Sequence, residues 1–330
     1  MANLQRTLLA ILLTTALHAP ALANDTLATL GAGGLIPVAS SAIAMESEDL
    51  VVSLDRITIT YTFRNKTAHD IVSTVAFPLP ALEGDDVENV PMAVPSHDKL
   101  NFVGFRVDQD GRPIPVQVMT QSFHDNHDIT DKLRALNLPI SVLDKSLVAK
   151  LSQLNPANQR SLESAGLIEC DPSDNGSRRC WARWSTRTQF HWKQHFPAGA
   201  AVHLHQTYRP FVGGSYIPSN YSGVRTIRPY CGGAQALEAI RDYKRRHPER
   251  KDILLFANEL EYILTTANNW NGPIGNFHLT VTAGSPEDIV LTCMPGFRRV
   301  SPLRYEFAEA GFRPASELKL MILSSHGRFP

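Results

Sequence analysis

Residues 57–64 read Ile-Thr-Ile-Thr-Tyr-Thr-Phe-Arg, a stretch in which apolar and polar side chains alternate without interruption. Because successive side chains of a β-strand point to opposite faces of its sheet, this pattern predicts a strand with one buried and one solvated face. Asn65-Lys66-Thr67 has turn composition, and the apolar run Ile71–Phe77 predicts that the chain returns as a second strand, stopped by Pro78.

A second hairpin is predicted around Asp110-Gly111, a dipeptide typical of tight turns between antiparallel strands. Its strands would be the runs at 102–107 and 114–119. Repeated short strands with turn residues between them favour an antiparallel sheet packed on one face. The predicted fold class is therefore mainly β and β-sandwich-like, with a small α-helical insertion and one helix in the C-terminal half.

The helical insertion is predicted from a change in apolar period, from two to 3.6 residues, between positions 128 and 168. Leu147 and Leu151 lie one helical turn apart behind Ser146, and Asn155-Pro156 supplies an N-cap followed by a first-turn proline. The three helices expected here are too short to be stable alone. Their leucines must therefore pack on the sheet or on each other.

These patterns divide the chain into four segments. The segments are a signal peptide at 1–23, an N-terminal β-sandwich at 24–127, the helical insertion at 128–168, and a β-rich C-terminal half at 169–330 with a helix at 234–246. Residues 213–223 are rich in Ser and Gly and are predicted to form a loop.

The first segment has the three parts of a secretory signal peptide. Arg6 is basic, residues 7–17 are small or apolar, and Ala21-Leu22-Ala23 matches the small-x-small pattern of a cleavage site. No later apolar run approaches the roughly 18 residues that would suggest a membrane span. The sequence therefore predicts cleavage near Ala23 and a periplasmic or secreted protein without a transmembrane segment in its mature form.

Net charge argues against nucleic acid as a partner. The chain has 32 basic and 32 acidic residues, and loss of Arg6 with the signal peptide leaves a net charge of −1. A nearly neutral chain lacks the overall positive field that attracts nucleic acid.

All four cysteines lie in the predicted mature chain, and an even number in an exported protein predicts disulfide bonds. Four cysteines allow three pairings. Cys170 and Cys180 flank a turn-rich stretch that can bring them together, which leaves Cys231 to pair with Cys293. A zinc site is the alternative, but no C-x-x-C spacing supports it.

Four histidines form the candidate metal site. If 188–208 folds as a hairpin with Trp192, Leu204 and Tyr208 facing the core, then the outer face carries His191, His195, His203 and His205. Imidazoles gathered in one place bind Cu or Zn. The alternative is a solvated sheet face, which is favoured because no carboxylate completes a ligand set.

Asn269, Trp270 and Asn271 form the candidate ligand or partner surface. Amides beside an exposed indole suit a carbohydrate or a peptide. The alternative, which is favoured, is a tight turn with Trp270 closing the edge of the core. Elsewhere, Gly213-Gly214-Ser215 lacks the glycine that a nucleophile elbow needs. The acidic residues Glu46, Glu48 and Asp49 are expected to stay in solvent.

Several segments together resemble one bacterial family. They are Gly33-Gly34-Leu35, Met45 to Leu50, Tyr61 to Asn65, Phe77-Pro78-Leu79-Pro80, Phe196 to Gly199, Tyr208-Arg209-Pro210, Tyr230-Cys231 and Asn269 to Phe277. The chain is similar in these segments, and over nearly all of its mature length, to domain-of-unknown-function family 4424. The resemblance implies an exported bacterial protein and does not imply a particular activity.

The predicted function is a non-enzymatic binding or assembly module whose partner is a periplasmic protein or a cell-envelope glycan. The insertion at 128–168 is expected to contact that partner or to gate a groove on the sheet. No cofactor is expected apart from Cu or Zn at the four histidines. The alternative function is a metal-dependent or hydrolytic enzyme that uses those histidines.

Overall fold

A computed structural model describes residues 25–31, 34–89, 92–96, 100–172, 178–220 and 223–327. The predicted signal peptide at 1–23 lies outside the described residues. Within the described ranges, no helix is both long enough and apolar enough to cross a membrane.

Most elements are β-strands, which confirms the mainly β fold class. In the first half of the chain they are β1 (Thr26–Gly31), β2 (Gly34–Val38), β3 (Ile43–Val52), β4 (Ile57–Asn65), β5 (Ile71–Pro78), β6 (Leu82–Glu83), β7 (Met92–Ala93), β8 (Arg106–Gln109), β9 (Arg112–Ile114), β10 (Gln117–His124), β11 (His127–Asp128) and β12 (Ile168–Pro172). In the second half they are β13 (Arg178–Ala182), β14 (Ser185–Phe196), β15 (Ala201–Tyr208), β16 (Val212–Pro218), β17 (Ile253–Tyr262), β18 (Ile274–Thr282), β19 (Ile289–Leu291), β20 (Arg298–Ser301), β21 (Arg304–Phe312) and β22 (Leu318–Ser324).

The helices are short, with one exception near residue 240. They are α1 (Gly84–Asn89), α2 (Thr130–Ala135), α3 (Leu147–Ser152), α4 (Pro156–Ser164), α5 (Val224–Ile227) and α6 (Ala234–Arg246). Two 3-10 turns span Arg228–Tyr230 and Thr265–Asn269. The helix predicted at 234–246 is confirmed.

Two large sheets face each other across the main core. The first sheet has the order β11-β10-β14-β5-β1-β2, with β6 also paired to β14, and the second has the order β20-β21-β18-β3-β4-β15-β8-β9. Phe105 lies between them: its ring stacks on Phe190 of β14 at 4.5 Å and on Phe77 of β5 at 4.8 Å. The sandwich is built from distant parts of the chain, since β14, β15 and β18 complete sheets that also contain N-terminal strands.

The prediction of a hairpin at 188–208 is wrong. β14 pairs with β5 and β10 in the first sheet, whereas β15 pairs with β4 and β8 in the second. The predicted inward residues, Trp192, Leu204 and Tyr208, are all buried. The even-numbered residues of both strands face the same core, but they reach it from opposite sides. The chain therefore crosses from one sheet to the other at residues 197–200.

The same crossing occurs earlier in the chain. β4 shows the predicted alternation of buried and exposed residues, but β5 does not return beside it and joins the first sheet instead. The hairpin at Asp110-Gly111 is confirmed, with Val107 opposite Ile114 and both turn residues at positive φ. It is shorter than predicted, because residues 117–119 belong to β10 of the first sheet.

A third sheet, of order β19-β22-β17-β16-β7, carries helix α6 on one face. Ile240 and Tyr243 of the helix pack with Leu255, Ala257 and other buried residues of this sheet in a second hydrophobic cluster. The opposite face, with Leu260 and Tyr262, joins the main core. The predicted loop at 213–223 is wrong in its first half, since residues 212–218 form β16.

The helical insertion packs on the main core. Its helices follow the predicted segments, and the Asn155 side chain caps α4 by accepting a hydrogen bond from the backbone N–H of Asn158 at 2.8 Å. Leu133, Leu147 and Leu151 are each buried in the same cluster as the aromatic residues of the sandwich. The apolar face of these helices is therefore already covered by the protein itself.

Both predicted disulfides are confirmed. Cys170 pairs with Cys180 between adjacent strands β12 and β13, and Cys231 pairs with Cys293. The second bond joins the 3-10 turn at Arg228–Tyr230 to the segment that follows β19. Disulfides are typical of proteins that fold outside the cytoplasm.

Candidate functional site

The structure does not bring the four candidate histidines together. His191 and His195 lie on β14, and His203 and His205 lie on β15, in each case alternating with buried residues. Since β14 and β15 belong to opposite sheets, the two pairs lie on opposite outer surfaces of the sandwich. The prediction of one four-histidine patch failed because it depended on the 188–208 hairpin.

Each histidine pair has its own polar surroundings. His195 Nε2 lies 3.0 Å from Asp70 Oδ2, while the Nδ1 atoms of His203 and His205 lie 3.2 and 3.3 Å from the hydroxyls of Thr62 and Thr60. No group of three or more His, Cys, Asp or Glu side chains in the described part of the chain is arranged to hold a metal ion. Metal binding by either pair stays a prediction.

Electrostatics differ between these surface groups. Partial burial lowers the pKa of His191, and the nearby Lys193 ammonium lowers it further. The pKa of Asp70 is lowered by the backbone N–H of Ala198, which donates to the carboxylate at 2.9 Å, and by the hydrogen bond with His195. The Asp70 carboxylate therefore anchors the loop that links β14 to β15.

Trp270 does not offer an exposed indole, which agrees with the favoured interpretation of a turn in which Trp270 closes the edge of the core. Its side chain is 3% exposed and packs on Phe63 at 4.5 Å between ring centroids. The indole Nε1–H donates to the backbone carbonyl of Asp25 at 2.6 Å. Trp270 therefore closes the edge of the core, because burying a large ring gains more than exposing it.

The amides beside Trp270 also have structural partners. Asn269 Nδ2 donates to the hydroxyl of Thr26 at 3.1 Å, and Asn271 Nδ2 donates to the carbonyl of Ser41 at 2.7 Å. Gly272 follows at a φ of 88°, in the left-handed region that favours glycine. This segment thus ties the N-terminal strands to the turn before β18.

A shallow depression beside the third sheet is lined by several polar side chains and by the exposed ring of Tyr216. It has a volume of about 710 Å³ and is largely open to solvent. We call it the Tyr230 cleft. Its lining residues are Ser215, Tyr216, Pro218, Asn220, Arg225, Thr226, Pro229, Tyr230 and Glu259.

A hydrogen-bonded pair forms one wall of the Tyr230 cleft. The hydroxyl of Tyr230 donates to Glu259 Oε2 at 2.8 Å, and the hydroxyl of Ser215 lies 3.5 Å from Glu259 Oε1. Burial raises the pKa of Tyr230, and the neighbouring Glu259 carboxylate raises it further. The phenol therefore stays protonated and holds the carboxylate in one orientation.

Covalent and backbone constraints position this pair. Tyr230 ends a 3-10 turn, and the next residue, Cys231, has a φ of 55° and is bonded to Cys293. Glu259 lies on β17 opposite Gly213 of β16, on the face of the third sheet that α6 covers farther along. The disulfide therefore fixes the turn that carries Tyr230 above this sheet.

A second, smaller cleft adjoins the same pair. It has a volume of about 210 Å³ and includes Tyr230 and Glu259 together with Glu83, Glu261 and Lys319. Burial raises the pKa of Glu83 and that of Glu261, and Lys319 opposes the increase at Glu261. Glu259 therefore lies between the Tyr230 cleft, whose lining groups are of mixed polarity, and the smaller cleft, whose charged lining residues are mostly acidic.

Sequence reasoning missed the Tyr230 cleft because its residues come from three separate segments, at 215–220, at 225–230 and at Glu259. Residues 213–223 were predicted to be a loop, and the basic, proline-containing stretch before Cys231 showed no catalytic motif. Two signals were available: the predicted Cys231–Cys293 bond, which brings distant segments together, and the alternation of Glu259 and Glu261 with apolar residues. Neither signal shows which strands lie beneath Tyr230.

Comparison with known proteins agrees with the resemblance seen in the sequence. The model of the family described as "Domain of unknown function (DUF4424)" matches residues 23–321, and the chain belongs to this family. Among solved structures, it is similar to a Legionella pneumophila protein described as a "putative nutrient binding protein", with a TM-score of 0.44 and 16% identity, covering 87% of this chain and 68% of that one. Among the curated proteins, none matches.

Proposed function

We propose that this protein is an exported binding or assembly module of the bacterial cell envelope, and that it holds its ligand or partner in the Tyr230 cleft. The observation that carries this proposal is the cleft itself, in which a carboxylate is oriented by a protonated tyrosine. An acceptor fixed in this way suits recognition, because its hydrogen-bond geometry is set before a ligand arrives. The signal-peptide pattern at 1–23 supports export to the periplasm or beyond.

The partner we propose is a cell-envelope glycan or a periplasmic protein segment small enough to enter the cleft. Hydroxyl, amide, carboxylate and guanidinium groups all line the cleft, beside the ring of Tyr216, which is 54% exposed. A few convergent polar groups next to an aromatic face are common in binding sites for polar ligands. The helical insertion is a weaker candidate for the partner surface, since its leucines are buried in the main core.

A thermal-shift screen of the purified protein tests the proposal. Envelope saccharides and short peptides are added singly, because a ligand that binds only the folded protein raises its melting temperature. Compounds that raise it are then measured by calorimetry against Tyr216→Ala and against Leu30→Ala, a matched exposed apolar residue on β1 outside the cleft. We expect Tyr216→Ala to weaken binding at least tenfold and Leu30→Ala to leave it unchanged.

Two results would contradict a binding function in this cleft. One is that no compound of either class raises the melting temperature. The other is that the compounds that bind do so with the same affinity to Tyr216→Ala as to the wild type. Stoichiometric Cu or Zn in the native protein, with a turnover that is lost when the β15 pair, His203 and His205, is replaced by Ser, would favour the alternative of a metal-dependent or hydrolytic enzyme.

A further inference from the structure

We infer that the ligand of the Tyr230 cleft is a saccharide that carries a carboxylate, recognised by the ring of Tyr216 and the guanidinium of Arg225. This inference rests on the proposed binding function and adds the chemical class of the ligand. It uses three observations: the apolar walls of the cleft, the distribution of its hydrogen-bonding groups, and the position of its one cationic lining residue.

The walls of the cleft suit a sugar ring. Tyr216 exposes about half of its side chain, 54%, in a strand whose neighbouring residue Ile217 is fully buried. Pro218 and Pro229 add rigid apolar surface to the lining. A pyranose presents C–H groups on its faces, and an exposed aromatic ring can cover such a face.

The polar groups of the cleft can form hydrogen bonds with the hydroxyl groups of a sugar. Ser215 and Thr226 offer hydroxyls, Asn220 offers an amide, and Glu259 offers carboxylate oxygens. The Tyr230 hydroxyl is committed to Glu259 as a donor, so the remaining lone pairs of this carboxylate can accept from ligand hydroxyls. The lining therefore combines donors and acceptors with apolar surface, and a sugar ring presents the same combination.

Arg225 adds a requirement for negative charge on the ligand. It is exposed, lines the cleft, and forms no hydrogen bond or ion pair with another described residue. The arginines of the neighbouring helix α6 differ, since Arg241 pairs with Glu238 and Arg245 pairs with Asp242. A guanidinium binds a carboxylate with two parallel hydrogen bonds, which makes a ligand carboxylate the natural counter-charge at this position.

Glu259 does not supply that counter-charge. Its carboxylate is held by Tyr230 and Ser215, and no ion pair joins it to Arg225 in the part of the chain that the structure describes. The cleft thus separates an oriented acceptor from an unpaired cation. A ligand with hydroxyls at one position and a carboxylate at another satisfies both groups at once.

N-acetylmuramic acid and N-acetylglucosamine provide a matched pair of probes, because they share the sugar ring and differ by a lactyl group that carries a carboxylate. Calorimetry on the purified full chain is expected to show at least tenfold tighter binding of N-acetylmuramic acid at low salt. Arg225→Gln should lower the affinity for N-acetylmuramic acid to the level of the affinity for N-acetylglucosamine. Tyr216→Ala should weaken both sugars.

Arg228→Gln is the control for charge alone, since Arg228 is exposed near the same turn but does not line the cleft. This variant should keep the preference for N-acetylmuramic acid. The preference should also shrink as salt is raised, because screening weakens an exposed ionic contact. All variants change exposed side chains, and unchanged melting temperatures show that they are folded.

The inference is overturned if the two sugars bind equally, if Arg225→Gln keeps the preference, or if neither sugar binds. A dipeptide such as Ala-Asp that binds in a Tyr216-dependent manner, when neither sugar does, would refute the saccharide class and still support a binding function. Failure of saccharides and peptides alike would refute the proposed function itself.

Discussion

Asp25 shows how one buried acid can make the stability of the whole chain depend on pH. Its side chain is fully buried and accepts a hydrogen bond from Gln206 Nε2 at 2.6 Å. Burial raises the pKa of Asp25 well above its usual value; the Gln206 hydrogen bond opposes this increase, and the Glu48 carboxylate adds to it. The fold therefore favours the protonated acid at this position.

Asp25→Asn should remove part of the pH dependence of unfolding. The pKa of Asp25 is higher in the folded protein than in the unfolded chain, where it is about 3.9. The resulting stabilisation is fully present below the unfolded-state pKa and is lost as pH rises through the folded-state pKa. Urea unfolding from pH 4 upward measures this loss. Relative to Asp25→Asn, the free energy of unfolding of the wild type should fall by about 1.4 kcal/mol per pH unit between the two pKa values of Asp25.

Asp131→Asn is the control for this experiment, since the Asp131 side chain is 93% exposed. It should follow the wild-type pH curve. Parallel pH curves for the wild type and Asp25→Asn would show that Asp25 is ionised in both states, contrary to the expectation.

Glu48 corrects the expectation that the acidic residues near the start of β3 stay in solvent. Glu48 is 1% exposed and accepts a hydrogen bond from the Tyr262 hydroxyl at 3.1 Å, whereas Asp49 is exposed. A bulge between Met45 and Ser47 shifts the alternation of β3 by one residue, so Glu48 faces the core. Composition alone contains no sign of that bulge.

Trp192 of β14 and the two histidines of β15 test which face of each strand is buried. Trp192 is 3% exposed and lies 6.2 Å from the ring of Phe105, so Trp192→Ala should lower the free energy of unfolding by about 3–5 kcal/mol in urea titration. The double variant His203→Ser/His205→Ser should change it by less than about 0.5 kcal/mol. A larger loss in the histidine variant would mean that β15 has the opposite face toward the core.

At the scale of single elements, the helical insertion tests whether short helices form a separate unit. Leu151 of α3 is fully buried in the main cluster, while the adjacent Lys150 is exposed. Leu151→Ala should lower the free energy of unfolding by about 2–5 kcal/mol. Lys150→Ala should change it by less than about 0.5 kcal/mol.

The shape of the Leu151→Ala transition matters as much as its midpoint. Circular dichroism and tryptophan fluorescence should report one shared transition, because the insertion and the sandwich have a common core. An early separate transition, with the main one unmoved, would restore the prediction of a movable insertion at 128–168.

The elements also show which structural features can be predicted from local sequence patterns. The Asn155-Pro156 start of α4 and the alternation of β4 were predicted from the sequence and agree with the structure, since both depend on residues a few positions apart. The strand at 212–218 was missed because its glycines and serine resemble a loop. Its pairing with β17 outweighs the weak local preference.

At the scale of the whole molecule, the two disulfides should differ in their effect on stability. Cys231–Cys293 spans 62 residues and Cys170–Cys180 spans 10. The chain-entropy estimate gives about 4 kcal/mol for the longer loop and about 3 kcal/mol for the shorter. Urea unfolding of Cys231→Ser/Cys293→Ser should therefore show the larger loss, compared with Cys170→Ser/Cys180→Ser as the matched control, and the reverse order would contradict this estimate.

The sequence by itself determined the fold class, the inward and outward faces of β4, β14 and β15, the helical insertion, the helix at 234–246 and both cysteine pairs. These features follow from side-chain periods, caps and parity, all of which are properties of neighbouring residues or of simple counting. They specify that Trp192 and Leu204 face a core, and the structure confirms it.

Tertiary structure alone decided on which side of the core each strand lies. Alternation is the same for a hairpin and for two strands facing each other across a sandwich, so the periods of β14 and β15 could not separate the two arrangements. Once β14 and β15 joined opposite sheets, the four histidines were divided between two surfaces. The Tyr230 cleft was decided at the same level, because Ser215, Arg225, Tyr230 and Glu259 meet only through strand pairing and a long-range disulfide.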